Sequence, residues 1–320
     1  MSRRRTFVTN NSPEIDLMDD DFSENLNVFL SDLKFRNRSK YTIEYYQREL
    51  RKFMLTLEDQ GINTRLRKLT EASITDGFIR YMYEEKEAAH TTISATLRAV
   101  KAYLNWAVDK QIISENPMTK IKIGNPKARE VETFTREQIK DLLSQPDPKL
   151  FIGLRDMTIM TLFLETGVRV RELCDIRVKD VRMTDDQILI NGKNGEDRLV
   201  PIQTQTKRLL KRYLQARGAS PVDWLFITVD DTKMNRETVR DRIAKYGRMA
   251  NIKNVRCSPH TFRHTFAKMS VQNGADIFTL QRILGHKTLD MVRRYVNMFG
   301  NDVKEAHERF SPVENLRIRF

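Results

Sequence analysis

After a polar lead-in, apolar residues recur at three- and four-residue spacing along most of this chain, and the pattern lapses notably in two interior stretches. That spacing is one face of an α-helix, so the chain can bury its apolar surface only as packed helices with two interruptions. Phe22, Leu26, Phe29, Leu30 and Leu33 mark a first helix. Ile43, Tyr46, Leu50, Phe53 and Leu57 mark a second, which Gly61 ends. A third begins near Thr70, with Ile74, Phe78 and Tyr81 facing inward. A fourth carries Ile93, Leu97, Val100, Leu104 and Ala107, and stops at Glu115-Asn116-Pro117, because the residue before a proline avoids helical backbone. Residues 22–118 therefore read as an all-α helical bundle. Residues 1–21, polar and containing PEIDLMDDD, read as a loosely ordered lead-in.

The first lapse, within TKIKIGNPKAREVETF, combines Gly124, Pro126 and several Lys and Arg residues without an amphipathic period. Residues 119–132 read as a basic interdomain linker, either a plain solvated connector or a segment tracking a phosphate backbone. Beyond it, Thr135 is a helix N-cap with Gln138 three residues on. GLRDMTIMTLFLETG is apolar nearly all round, as a buried helix is. The second lapse runs from Val178 to Ile202, where DDQILING and RLVPI read as short strands. Helices resume at TKRLLKRYLQARG, at NRETVRDRIAKYGRMANI and from Pro259 onward, with a break at Gly285. Residues 133–301 thus read as a mainly α domain with a small β-sheet (α+β). Residues 302–320 form a tail in which Val303, Ala306 and Phe310 make a narrow stripe suited to docking on a neighbouring protomer.

Charge narrows the choice of partner. Lys and Arg number 56 against 43 acidic residues, a formal net charge of +13, which points to a polyanion and above all to nucleic acid. The two cysteines, Cys174 and Cys257, build no disulfide framework and no Cys-based zinc site, and they suit a reducing cytoplasm. No membrane-length apolar run and no secretory signal are present.

Six residues then stand out as chemistry. TGVRVREL places Arg169 at a helix start, after Gly167, where a guanidinium can fork two phosphate oxygens; Glu172 lies one turn on. Lys193 sits in the turn NGKNGE between the two strands, with Lys179 within reach in sequence. HTFRHTFA puts His260 and Arg263 on one helix face. His264 makes an HxxxH pair with His260, but a metalloprotease needs Glu at 261, where this chain has Thr261. LGHKTLDMVRRYV supplies His286 and Tyr295. Each residue alone has an ordinary structural explanation. Jointly they offer cations around a phosphate, a proton donor, a proton acceptor and a phenol nucleophile, the needs of metal-free phosphoryl transfer to tyrosine.

These words, in this order, resemble the tyrosine recombinase (integrase) family from about Thr133 to Ser311, and the helical domain resembles that family's core-binding domain more loosely. The resemblance implies roles. Arg169 and Arg263 hold the scissile phosphate, Lys193 protonates the departing 5′ oxygen and His260 handles the nucleophile's proton. His286 donates to the phosphate, Tyr295 is the nucleophile and Glu172 supports the site from behind. No metal, ATP or other cofactor is implied. The implied partners are double-stranded DNA with core recombination sites, three further copies in a synaptic tetramer, and accessory DNA-bending or directionality proteins. A bacterial mobile element and action at the nucleoid fit the compact, Xer-like length. Candidate DNA contacts are Lys40, Arg98, Lys101, Lys120, Lys122, Lys127 and Arg129. A type IB topoisomerase and a catalytically silent DNA-binding regulator remain the alternatives.

Overall fold

Asp21 starts the first helix: its carboxylate accepts from the Glu24 backbone N–H at 2.9 Å and caps α1 (Phe22–Phe35). Ser39 caps α2 (Lys40–Glu58) the same way. Thr70 and Ser73 form a reciprocal capping pair ahead of α3 (Glu71–Ile74), which runs through a π-helical segment (Thr75–Arg80) into α4 (Tyr81–Glu84). α5 (His90–Asp109) packs along α2 and completes the bundle. Its core gathers Phe22, Phe53, Phe78, Leu97 and Leu104 with a nest of aromatic rings. Phe22 meets Tyr103 edge-on at 4.9 Å, and Phe29 meets Trp106 at 5.5 Å. The fully buried Tyr103 hydroxyl donates to the Phe22 carbonyl at 2.9 Å, which satisfies its polar end.

The computed structural model describes residues 19–124, 131–192, 196–286 and 288–299, and its contacts divide the chain into two units, Met1–Arg129 and Glu130–Phe320. Three sequence expectations change within the first unit. Met82 is buried where Tyr81 was expected, because the π-helical segment shifts the phase of the inward face. Asp20, expected in a loose lead-in, is buried and accepts from Arg65 at 2.9 Å. Ile121 and Ile123, expected in a free linker, pack against the bundle core, because alternate apolar residues on extended chain can cover it. Lys127, Arg129 and the tail 302–320, with Val303, Ala306 and Phe310, lie outside the described residues.

In the second unit Thr135 and Gln138 form the expected capping box before α6 (Arg136–Ser144). α7 (Phe151–Thr166) is the central helix, burying Ile159, Met160, Leu162 and Phe163. α8 (Val170–Cys174) follows. Val178–Asp180, where the helical pattern lapses, is a 3₁₀ turn, closed by Arg177 N–H donating to Asp180 at 2.8 Å. β1 (Val181–Arg182), β2 (Gln187–Ile190) and β3 (Arg198–Pro201) form an antiparallel sheet in that order, with Ile190 opposite Arg198. Ile188, Ile190 and Val200 are the sheet's contribution to the core. α9 (Thr204–Arg217), α10 (Arg236–Met249), α11 (Pro259–Gln272), α12 (Ile277–Leu284) and α13 (Asp290–Phe299) complete the unit. The helical run after Pro259 breaks at Gly274 and Gly285, both at positive φ. Among the described residues no helix is long and apolar enough to cross a membrane.

Candidate active site

α7 ends on Gly167, at φ 60°, and the chain turns straight into Arg169. A β-carbon at Gly167 would lie 2.5 Å from the Phe266 ring, so the turn needs glycine for space as well as for backbone. Arg169 caps α8, and Glu172 reaches back to it twice. The carboxylate accepts from the Arg169 backbone N–H at 2.9 Å and from Nη1 at 2.8 Å. Arg169 Nη2 extends the other way, to the Gly285 carbonyl at 3.1 Å. Arg263, buried on α11, donates Nη1 to the Gly167 carbonyl at 2.6 Å and Nη2 to the Leu284 carbonyl at 2.8 Å. Two arginines from distant parts of the unit therefore converge on one loop, Leu284 to His286.

That loop presents His286, only 6% exposed. Arg263 Nη2 lies 2.6 Å from its Nε2. A guanidinium can only donate, so Nε2 accepts and Nδ1 carries the hydrogen. Nδ1 is buried and has no hydrogen-bond partner. A buried donor left open is costly unless something else fills it. Burial first, then the positive charges of Arg263, Arg169 and Arg198, push the His286 pKa down to about 4. It is therefore a neutral imidazole near neutral pH. Burial, and Arg169 next, also bring the Arg263 guanidinium down to about 10, which leaves it charged. Burial works to raise the Glu172 carboxyl, but hydrogen bonds and charge from Arg198 and Arg169 prevail and hold it below the usual range.

Tyr295, on α13, is 5% exposed, and its hydroxyl lies 2.6 Å from His264 Nδ1. His264 was weighed in the sequence only as half of a metal pair, so its place on the phenol is new. The one available signal was that it sits one residue past Arg263. His260 stands at the solvent-facing start of α11, its ring 6.5 Å from that of His264. Partial desolvation, followed by Arg263, Arg240, Arg169 and Arg256, lowers its pKa. Among the described residues no group of three or more His, Cys, Asp and Glu is placed to hold a metal ion.

The structure thus brings Arg169, Glu172, Arg263 and His286 together, with Tyr295 against the neighbouring His264. Lys193 lies outside the described residues, between β2 and β3 in the sequence. Lys179 is exposed on the 3₁₀ turn. Sequence reasoning passed over Arg198, whose guanidinium forks Glu172 at 2.8 and 3.2 Å. In the first unit Lys40, Arg98, Lys101, Lys120 and Lys122 are all exposed. It also holds a cluster not evident from the sequence: the buried Glu49 accepts from Arg48 at 2.8 Å, Lys52 at 2.6 Å and Thr96 at 2.7 Å.

The chain is similar to known proteins in family and fold. The pattern of the phage integrase family matches residues 132–301, and that of the phage integrase SAM-like domain matches residues 21–123. The tyrosine recombinase XerC of Anoxybacillus flavithermus is 27% identical over 297 residues, covering 90% of this chain and 97% of its own. The tyrosine recombinase XerD of Shewanella oneidensis is 28% identical over 293 residues, covering 90% and 96%. Two solved structures share the fold. The Tn1549 transposon integrase in complex with a circular intermediate DNA has a TM-score of 0.71 at 17% identity, over 90% of this chain and 99% of its own. The XerH site-specific recombinase bound to a palindromic difH substrate has a TM-score of 0.69 at 22% identity, over 91% and 85%. With one family pattern covering more than half its length and the two arginines, histidines and tyrosine gathered as described, the chain belongs to the phage integrase family, as a tyrosine recombinase of the Xer-like type.

Proposed function

We propose that this protein recombines specific DNA sites by transferring a backbone phosphate to Tyr295 and back. The carrying observation is the loop Leu284 to His286, on which Arg169 and Arg263 both end and where the His286 Nδ1–H has no partner. A phosphodiester there meets two guanidinium groups and one open neutral donor. These groups stabilise the charge that builds on the pentavalent phosphorus. The Tyr295 oxygen forms the new bond to phosphorus and the phosphorus–O5′ bond breaks. The phenol's proton passes to His260 and the 5′ oxygen takes one from Lys193. The products are a 3′-phosphotyrosine and a 5′-hydroxyl, and the ester retains the bond energy, so no ATP is consumed. Attack by a partner strand's 5′-hydroxyl reverses the step and exchanges strands. Two rounds through a Holliday junction, in a tetramer on two sites, complete the reaction. Tyr295 is buried on His264 as described, so α13 has to shift to deliver the phenol.

The exposed Lys40, Arg98, Lys101, Lys120 and Lys122, with Lys127 and Arg129, supply phosphate contacts that position the duplex. The tail from 302 docks on a neighbouring protomer, and the protein serves a bacterial mobile element at the nucleoid, with accessory DNA-bending proteins. The test is a nicked duplex carrying a site selected by binding. The parent protein traps a covalent adduct, and Tyr295→Phe traps none while binding as the parent does. Binding without any adduct from the parent marks a silent regulator. Relaxation of supercoiled DNA by single molecules without site preference marks a topoisomerase.

A further inference from the structure

Arg198 opens β3 and is 12% exposed at its side chain, yet nothing in the proposed chemistry uses it. It touches the site in three ways. Nη1 and Nη2 donate to the two oxygens of Glu172 at 3.2 and 2.8 Å. Nε donates to the Ile283 carbonyl at 2.8 Å. The guanidinium also packs against Gly285, where a β-carbon would stand 2.9 Å from Nη1. Glu172 is thereby filled. Oε1 accepts from Arg169 Nη1 and Arg198 Nη1, and Oε2 from the Arg169 backbone N–H and Arg198 Nη2. A carboxylate offers about four lone-pair positions, and all are taken.

The consequence is electrostatic. Glu172 orients Arg169, but its charge also competes with a phosphate for that same guanidinium. A second arginine on the carboxylate cancels the competing charge while the orienting bonds stay. Resting on the phosphate-transfer reading above, we infer that Arg198 is a positioning residue: it neutralises Glu172 so that the Arg169 charge faces the phosphate, and it braces the loop that carries His286. If Arg198 were only part of a stabilising ion pair, its loss would lower the melting temperature and leave the cleavage rate of the DNA-bound protein unchanged.

The rate of covalent attachment to the nicked duplex separates the two cases, with DNA affinity and melting temperature measured alongside. Arg198→Gln binds DNA as the parent does and cleaves about 10- to 100-fold more slowly, the usual cost of losing a supporting contact behind a reactive group. Arg198→Lys, which restores the charge, recovers most of that loss. Adding Glu172→Gln to Arg198→Gln raises the rate, because the competing charge is gone. Parent-like cleavage by Arg198→Gln overturns the inference. So does a double variant slower than Arg198→Gln by the factor Glu172→Gln costs alone. If Arg198→Gln proves too unstable to bind DNA, Arg198→Lys decides: cleavage within about tenfold of the parent supports the inference, and a larger loss by a DNA-binding protein overturns it. A parent protein that forms no adduct sinks the phosphate-transfer reading itself, whereas a parent adduct with indifferent Arg198 variants sinks this inference alone.

Discussion

The second unit buries two arginine clusters, and they are built to opposite ends. In one, Asp156 on α7 accepts from Arg155 at 2.9 Å, from Arg242 at 2.5 Å and from the Tyr246 hydroxyl at 2.9 Å. Arg155 spends its remaining reach on the Ile227 carbonyl. No buried side-chain nitrogen or oxygen of that cluster is left without a partner. In the other, Arg169 and Arg198 share the single carboxylate Glu172, Arg263 gives its hydrogen bonds to two backbone carbonyls and His286, and His286 keeps an open Nδ1. The first cluster ties α7 to α10. The second keeps an excess of positive charge over the single carboxylate among the described residues. Buried charge alone therefore does not identify a site. An excess of one sign, with an unfilled donor beside it, does.

Substitutions can break this contrast. The largest effect expected is on stability at the closed cluster. Asp156→Ala strands Arg155, which is 4% exposed, and should cost roughly 3–5 kcal/mol of folding free energy. Chemical denaturation reads that loss, while cleavage per folded molecule stays at the parent value; a specific cleavage defect would erase the distinction between the clusters. Next comes the open cluster. Arg263→Ala should slow covalent attachment by about 10²–10³, or about 3–4 kcal/mol, with DNA affinity little changed and a smaller loss of stability than Asp156→Ala. The reverse order of stabilities would mean that Arg263 is chiefly a strut for Gly167 and Leu284.

The smallest effect is a pH dependence carried by His286. Its folded pKa of about 4 lies below the unfolded value, so the unfolded chain binds the extra proton first. Its contribution is full above pH 6.5 and is lost as pH falls towards about 4, up to about 3 kcal/mol in all. His260, also lowered, works in the same direction. The melting temperature of the parent should therefore fall more steeply between pH 6.5 and 4.5 than that of His286→Asn. Parallel curves would show that His286 titrates normally. Because His286 is neutral near pH 7, its titration should put no inflection in the cleavage rate between pH 6 and 8.

How far the molecule could be read beforehand follows the same divide. Phe22, Leu26, Leu50, Phe53, Leu97 and Leu104 lie in the core where periodicity put them, because helix faces depend on neighbours three and four residues away. Thr135 capped its helix for the same local reason. Tyr81 gave way to Met82 where a π-helical segment changed the period. Ile121 and Ile123 joined the core although their stretch reads as linker. Arg169, Glu172, Arg263, His286 and Tyr295 were recognisable from their wording and order. Arg198, His264 and Glu49 were not, since a charged or polar residue in a polar stretch looks like surface until a distant partner buries it.

By itself, then, the sequence determined the helical periods, the caps, the lapse into a small sheet, the basic surplus and the residues proposed for the chemistry. Each of these depends on nearby residues or on composition. Only the tertiary structure decided which carboxylate the arginines share, that Arg198 closes that carboxylate, that the phenol rests on His264, and that His286 keeps one donor open. Those facts depend on distances between segments far apart in the chain, which are set by how α7, α11 and β3 pack and not by any local preference.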